Sequence, residues 1–171
     1  YSAKLMKAVV YGNKPLAELA KIAAHSYGRV ANKNITKPEI DVPVVTDKQK
    51  GIIIHYVPAL PRKVLRVEFR IDDNSPQFRS KTDELLTYLI GNRTPGTLSD
   101  WLQDQGLVEG IRADSDPVVN GNSGVLAISA TLTDKGLANR DRVVAAIFSY
   151  LNLLREKGVD KRYFDELANV L

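Results

Sequence analysis

The amino-acid sequence predicts an α+β fold, a mostly antiparallel sheet with helices packed on one of its faces, and two patterns carry that expectation. Leu65, Val67, Phe69 and Ile71 alternate with Arg66, Glu68 and Arg70, which gives a strand one dry and one wet face. A parallel strand covered on both faces would not carry three charges. Further along, Val144, Ile147, Phe148, Leu151 and Leu154 recur at helical spacing, the mark of a long amphipathic helix.

The elements follow in order. Lys4 to Tyr11 reads as a strand closed by the turn signal Gly12-Asn13-Lys14-Pro15. Pro15 suits a first helical turn, Leu16, Leu19, Ala20, Ala23 and Ala24 form an apolar stripe, and Gly28 suits the stop. Residues 31–41 are polar, aperiodic and interrupted by Pro38, which marks them as a connector and the expected domain boundary. Gly51 to Val57, with Ile52, Ile53 and Ile54, is a β-branched run that predicts a strand, and the alternating strand over 65–71 comes next.

Ser80 with Asp83 has the form of a capping box before Leu85, Leu86, Leu89 and Ile90, predicting a helix over about 80–92. Thr97 with Asp100 repeats the signal before Leu98, Trp101 and Leu102, in a shorter helix ending near Gly106. Val108 to Ala113 and Val125 to Leu132 read as antiparallel neighbours joined by a turn at Asn120-Gly121-Asn122-Ser123-Gly124. The last long helix starts near Thr133 or Asp134 and stops at Gly158, after which Asp160 can cap another. Leu5, Val67, Phe69, Leu86, Leu89, Trp101, Ile128, Ile147, Phe148 and Leu151 are the expected core.

With 171 residues, 44% hydrophobic and 26% charged, the chain has the size of one ordinary domain and can bury a sizeable core. No window approaches the roughly 18 apolar residues of a membrane helix, so no membrane partner is expected. The absence of cysteine excludes a disulfide framework, an iron–sulfur cluster, a Cys-type zinc site and a cysteine nucleophile within the chain. Twenty-four basic against twenty acidic residues give a net charge of +4. The basic residues are scattered among acids, which points to a solvated surface and away from nucleic acid.

Catalytic patterns are missing. The two histidines, His25 and His55, are thirty positions apart and belong to neither H-E-x-x-H nor H-x-x-E-H. Asp114-Ser115-Asp116 lacks the downstream ligands of a calcium loop and reads as an ordinary loop. Asp72-Asp73 reads as turn chemistry beside Asn74-Ser75-Pro76. Thr94-Pro95-Gly96-Thr97 could offer N–H groups to an anion at a helix start but fits a helix–helix turn. Phosphate-cradling glycine loops and the G-x-S-x-G elbow are absent. No catalytic residue and no metal ligand is therefore assigned. An independent enzyme built on Asp72, Asp73 or Asp114 would have to show activity lost on replacing those acids.

The chain opens Tyr1-Ser2-Ala3 and stops at Leu171 within an apolar-periodic run, so a piece of a longer protein is expected. Three segments extend that reading: Tyr1-Ser2-Ala3-Lys4-Leu5-Met6 with Gly12 and its helix; Tyr88-Leu89-Ile90-Gly91, Pro95-Gly96-Thr97-Leu98 and Gly106; and Asp134-Lys135-Gly136-Leu137. In this order they resemble the pitrilysin and insulin-degrading-enzyme family of zinc metallopeptidases, the inverzincins. The resemblance runs through essentially the whole chain and is more specific in its order than in any one segment.

The resemblance implies that residues 1–33 are the strand–helix end of a preceding catalytic domain, 34–41 a connector, and 42–171 most of a non-catalytic second domain. Zinc, bound by H-x-x-E-H upstream of Tyr1, would serve the parent and none would be bound here. The remaining domains of the parent would be partners, a small polypeptide the substrate, and the bacterial periplasm the location. In insulin-degrading enzyme the second domain carries an exosite, an edge strand that accepts the N-terminal segment of a peptide by strand addition. By position that strand corresponds to Ile111, Arg112 and Ala113; Ile111 replaces a similar aliphatic residue, whereas Arg112 and Ala113 depart from the family sequence, and a plain sheet strand is the other reading. The alternative for the whole is a scaffold or binding module related to the mitochondrial processing peptidase and respiratory-complex core proteins.

Overall fold

The computed structural model describes residues 1–42, 45–119 and 123–170, and the chain divides into two compact units, Tyr1–Ile40 and Asp41–Leu171. In the first unit, α1 (Leu16–Tyr27) begins after Pro15 and ends at Gly28, whose N–H donates to the Ala24 carbonyl at 2.9 Å. The expected strand over Lys4–Tyr11 does not form: Ala3–Leu5 is a single 3-10 turn and the residues beyond it are irregular and exposed. A strand needs a ladder partner for its N–H and C=O groups, and none pairs with this segment among the described residues. Leu5, expected in the core, is accordingly 41% exposed. The unit is closed by Ser2, whose buried hydroxyl donates to Asn32 Oδ1 at 3.0 Å and accepts from the Lys33 N–H at 2.9 Å.

The second unit is built on β1 (Val64–Ile71), β2 (Val108–Val119) and β3 (Ser123–Leu132), in the order β1-β3-β2 with both pairings antiparallel. The helices are α2 (Thr82–Gly91), α3 (Leu98–Asp104), α4 (Asp134–Ala138), α5 (Arg140–Lys157) and α6 (Lys161–Val170). Register stacks the sheet in rows: Leu65, Ala130 and Ile111 share one, and Val67, Ile128 and Ala113 the next. These rows meet Ile90 of α2, Leu98 and Leu102 of α3, and Val143 and Ile147 of α5 in a single buried cluster. Helices therefore cover one face of an antiparallel sheet, as α+β predicts. On the intervening rows Arg66, Glu68 and Arg70 of β1 are exposed, while Ala127 of the central strand, in register with Glu68, is buried.

Several local expectations change in the folded chain. Gly51–Val57 is irregular, with Ile53 82% exposed, again because no strand pairs with it among the described residues. The expected 133–158 helix is broken at Asn139 into α4 and α5. On the α4 side of the break Gly136 packs directly against the Leu107 carbonyl, leaving no room there for a Cβ. On α5 Val143 is buried, whereas Phe148, expected in the core, is 45% exposed yet meets Phe69 edge-on at 5.7 Å. Trp101, also expected in the core, is 43% exposed with the Arg142 guanidinium 5.5 Å from its ring centre. Ser80 caps nothing; its hydroxyl donates to Gln77 O while Lys81, in the left-handed region at φ 49°, precedes α2. Of the turn expected at Asn120-Gly121-Asn122-Ser123-Gly124, the first three residues lie outside the described residues, while Ser123 and Gly124 open β3, where Gly124 pairs with Ile71.

Other signals act as read. Thr97 Oγ1 accepts from the Asp100 N–H at 3.4 Å at the start of α3, Asp160 Oδ1 accepts from the Arg162 N–H at 2.9 Å at the start of α6, and Gly158 ends α5 at φ 72°, a conformation that favours glycine.

Candidate functional site

Among the described residues, the three-stranded sheet of order β1-β3-β2 leaves β2 with one hydrogen-bonding side used by β3 and the other without a strand. Alternate residues of such an edge direct N–H and C=O groups outward, where an extended peptide can pair with them. Ile111, Arg112 and Ala113 lie on this edge strand, which is where the structure places the residues singled out from the sequence. Ile111 is buried and Ala113 half-buried against the helices, while Arg112 is exposed on the opposite face. The pairing with β3 runs without a register shift from Gly110 to Asp116, bounded by irregularities on each side. The regular edge is therefore seven residues long.

Two glycines set what packs beside it. A Cβ added at Gly91 would lie 3.9 Å from Arg112 Cα, so the last turn of α2 rests directly on the β2 backbone. A Cβ at Gly110 would meet the Arg93 guanidinium at 3.5 Å, which places a positive group at the start of the regular edge. The preceding Asn92–Thr97 turn is tied to itself: Thr94 N–H donates to Asn92 Oδ1 at 2.8 Å and Gly96 N–H to Asp100 Oδ2 at 2.9 Å. Those donors are spent internally, and the segment is the ordinary helix–helix turn.

Asp114-Ser115-Asp116, read from the sequence as a loop, is part of β2. Ser115 faces the helices and its hydroxyl donates to Asp83 Oδ2 at 2.6 Å. Asp114 and Asp116 are exposed on the other face in line with Arg112. Arg66 bridges that face across β3, with Nε donating to Glu68 Oε1 at 2.6 Å, Nη1 to Ser129 Oγ at 3.2 Å, and Nη2 3.7 Å from Asp114 Oδ2. The hydrogen bond to Glu68 raises the Arg66 pKa above its ordinary value, keeping the bridge charged. The alternation Ile111, Ala113, Ser115 against Arg112, Asp114, Asp116 was present in the sequence. Asp-Ser-Asp-Pro chemistry masked it, because those residues ordinarily signal turns.

The remaining candidates do other work. Asp73 Oδ1 accepts from Ser75 N–H at 3.1 Å and Ser75 Oγ at 2.5 Å, a local turn. His25 ends α1 and His55 sits in the exposed irregular stretch. With two histidines in separate units and no cysteine, the donor set does not fit a catalytic zinc, and no group of three or more metal-binding side chains occurs among the described residues.

A family model described as the Peptidase M16 inactive domain matches residues 1–171. The chain belongs to that family. Protease 3 of Escherichia coli strain K12 is 84% identical over 171 residues, which are 100% of this chain and 18% of that protein. Insulin-degrading enzyme of Drosophila melanogaster is 31% identical over 170 residues, 99% of this chain and 17% of that protein. A crystal structure of pitrilysin superposes with a TM-score of 0.90 at 84% identity, covering 99% of this chain and 18% of that one. The chain thus spans less than a fifth of the length of the relatives it matches. Protease 3 is a bacterial protein, and no described helix is long and apolar enough to cross a membrane. An inactive M16 domain agrees with the lack of H-x-x-E-H in the sequence.

Proposed function

We propose that the chain is a non-catalytic part of a zinc metalloendopeptidase that degrades small polypeptides in the bacterial periplasm, where it forms chamber wall and presents the β2 edge as a substrate exosite. Residues 1–33 close the preceding catalytic domain, 34–41 connect, and 42–171 form most of the second domain. Zinc and the residues that activate water lie elsewhere in the parent; this chain's contribution is to bind and orient. The observation that carries the reading is the open, seven-residue regular edge of β2 in a chain of the M16 inactive-domain family. Backbone pairing at Ile111, Arg112 and Ala113 supplies affinity with little demand on sequence, which suits a protease acting on varied peptides.

Hydrogen exchange in the full-length protein, held inactive by a chelator and mixed with a peptide, tests this. Slower exchange of amides within Ile111–Asp116 on peptide binding is the expected result. Peptide bound with that segment unchanged overturns the exosite, and failure to bind peptide at all favours the scaffold alternative.

A further inference from the structure

The exposed row of β2 has a polarity. Arg112, Asp114 and Asp116 follow one another at every second residue, so Arg112 and Asp116 stand about 13 Å apart along the strand. Among the described residues neither forms an ion pair, whereas Asp114 is shared with Arg66. The Arg112 end is further charged by Arg93, whose guanidinium lies beside Gly110. One end of the regular edge is thus doubly positive and the other carries the Asp116 carboxylate, which has no ion pair among the described residues.

Resting on the exosite reading above, we propose that this edge selects extended peptide segments by charge polarity: an acidic side chain opposite Arg112 and, four residues away on the same face, a basic side chain opposite Asp116. A strand added to β2 alternates its side chains between the two faces, so residues at this spacing fall on the exposed row together. Its intervening residues face the row of Ile111, Ala113 and Ser115, where small or apolar side chains fit. The ligand is a dipolar β-strand, with backbone pairing giving affinity and the charged row giving direction and register.

The test uses the full-length protein with a chelator and four labelled peptides, read by fluorescence anisotropy. They share an alternating strand sequence and carry Lys/Glu, Glu/Lys, Lys/Lys or Glu/Glu four positions apart. One dipolar polarity should bind about three- to ten-fold tighter than either uniformly charged peptide, from two favourable cross-strand pairs. Arg112→Glu with Asp116→Lys should move the preference to the opposite polarity, and Arg112→Gln with Asp116→Asn should erase it. A version of the peptide N-methylated at alternate residues separates the two claims. Methylation-sensitive binding with equal affinity for all four peptides overturns charge selection and leaves the exosite standing. Methylation-insensitive binding, or none, overturns strand addition and this inference with it.

Discussion

Replacing Gly136 with alanine sets two physical effects against each other. Alanine is the better helix former by about 1 kcal/mol, and Gly136 lies inside α4. Yet a Cβ there would stand 1.8 Å from the Leu107 carbonyl oxygen and 2.8 Å from its carbon. The obstacle is backbone, and Leu107 is completely buried, so no side chain can swing aside. Relief requires α4 and the start of β2 to part by more than an ångström. That parting disrupts the Thr133 N–H bond to Leu107 O, at 3.2 Å, and the Thr133 hydroxyl shared between Gly106 O and Leu107 O. Two such bonds contribute about 1 kcal/mol each, overpacking costs about 1–3 kcal/mol, and the helix preference returns about 1, leaving Gly136→Ala about 2–4 kcal/mol less stable. Urea unfolding followed by circular dichroism should show a lower midpoint at unchanged slope. A variant as stable as the parent chain, or more so, would refute the close-approach argument.

Further outcomes follow from the same geometry. Ile128→Ala empties a fully buried position between Val67 and Ala113 and should cost about 2–5 kcal/mol in the same unfolding assay. Thr97→Ala removes the α3 cap and leaves the Asn92 and Thr94 carbonyls, each 2.8 Å from the hydroxyl, without that donor; a loss of about 1–2 kcal/mol is expected, with Thr97→Ser recovering most of it. Ile53→Lys, at an exposed position, should change stability by no more than about 0.5 kcal/mol. The Asp160 carboxyl is held below its ordinary pKa first by its side-chain bond to Arg162. Its contribution is therefore present above the unfolded carboxylate pKa and lost as pH falls through the lower folded value; Arg162→Gln should move the Asp160 titration upward, as seen by NMR.

Sequence alone revealed those elements whose signals are local. The alternation over 65–71 needed only its own side chains to declare a face, and Thr97, Gly158 and Asp160 act within one turn of themselves. Lys4–Tyr11 and Gly51–Val57 failed for the opposite reason: β-branched composition makes a strand possible, but pairing decides it, and a partner is not written in the segment. The break at Asn139 was not legible in the apolar spacing, and the close approach of Gly136 to Leu107 beside it joins residues remote in sequence. Trp101 and Phe148 are apolar enough for the core but lie at its margin, where ring contacts with Arg142 and Phe69 replace full burial. The candidate site was reached through family resemblance, and its edge position depends on strand order, which no single strand encodes. What its residues could have disclosed is the alternation through Asp116, hidden by the turn-like Asp-Ser-Asp-Pro.

The central claim is that this chain binds and confines peptide while the chemistry resides elsewhere in the parent. Cleavage of a quenched fluorescent peptide, measured for the purified chain and for the full-length protein, each with zinc and with chelator, tests it most directly. The account predicts chelator-sensitive cleavage by the full-length protein alone; zinc-dependent cleavage by the 171-residue chain would contradict it.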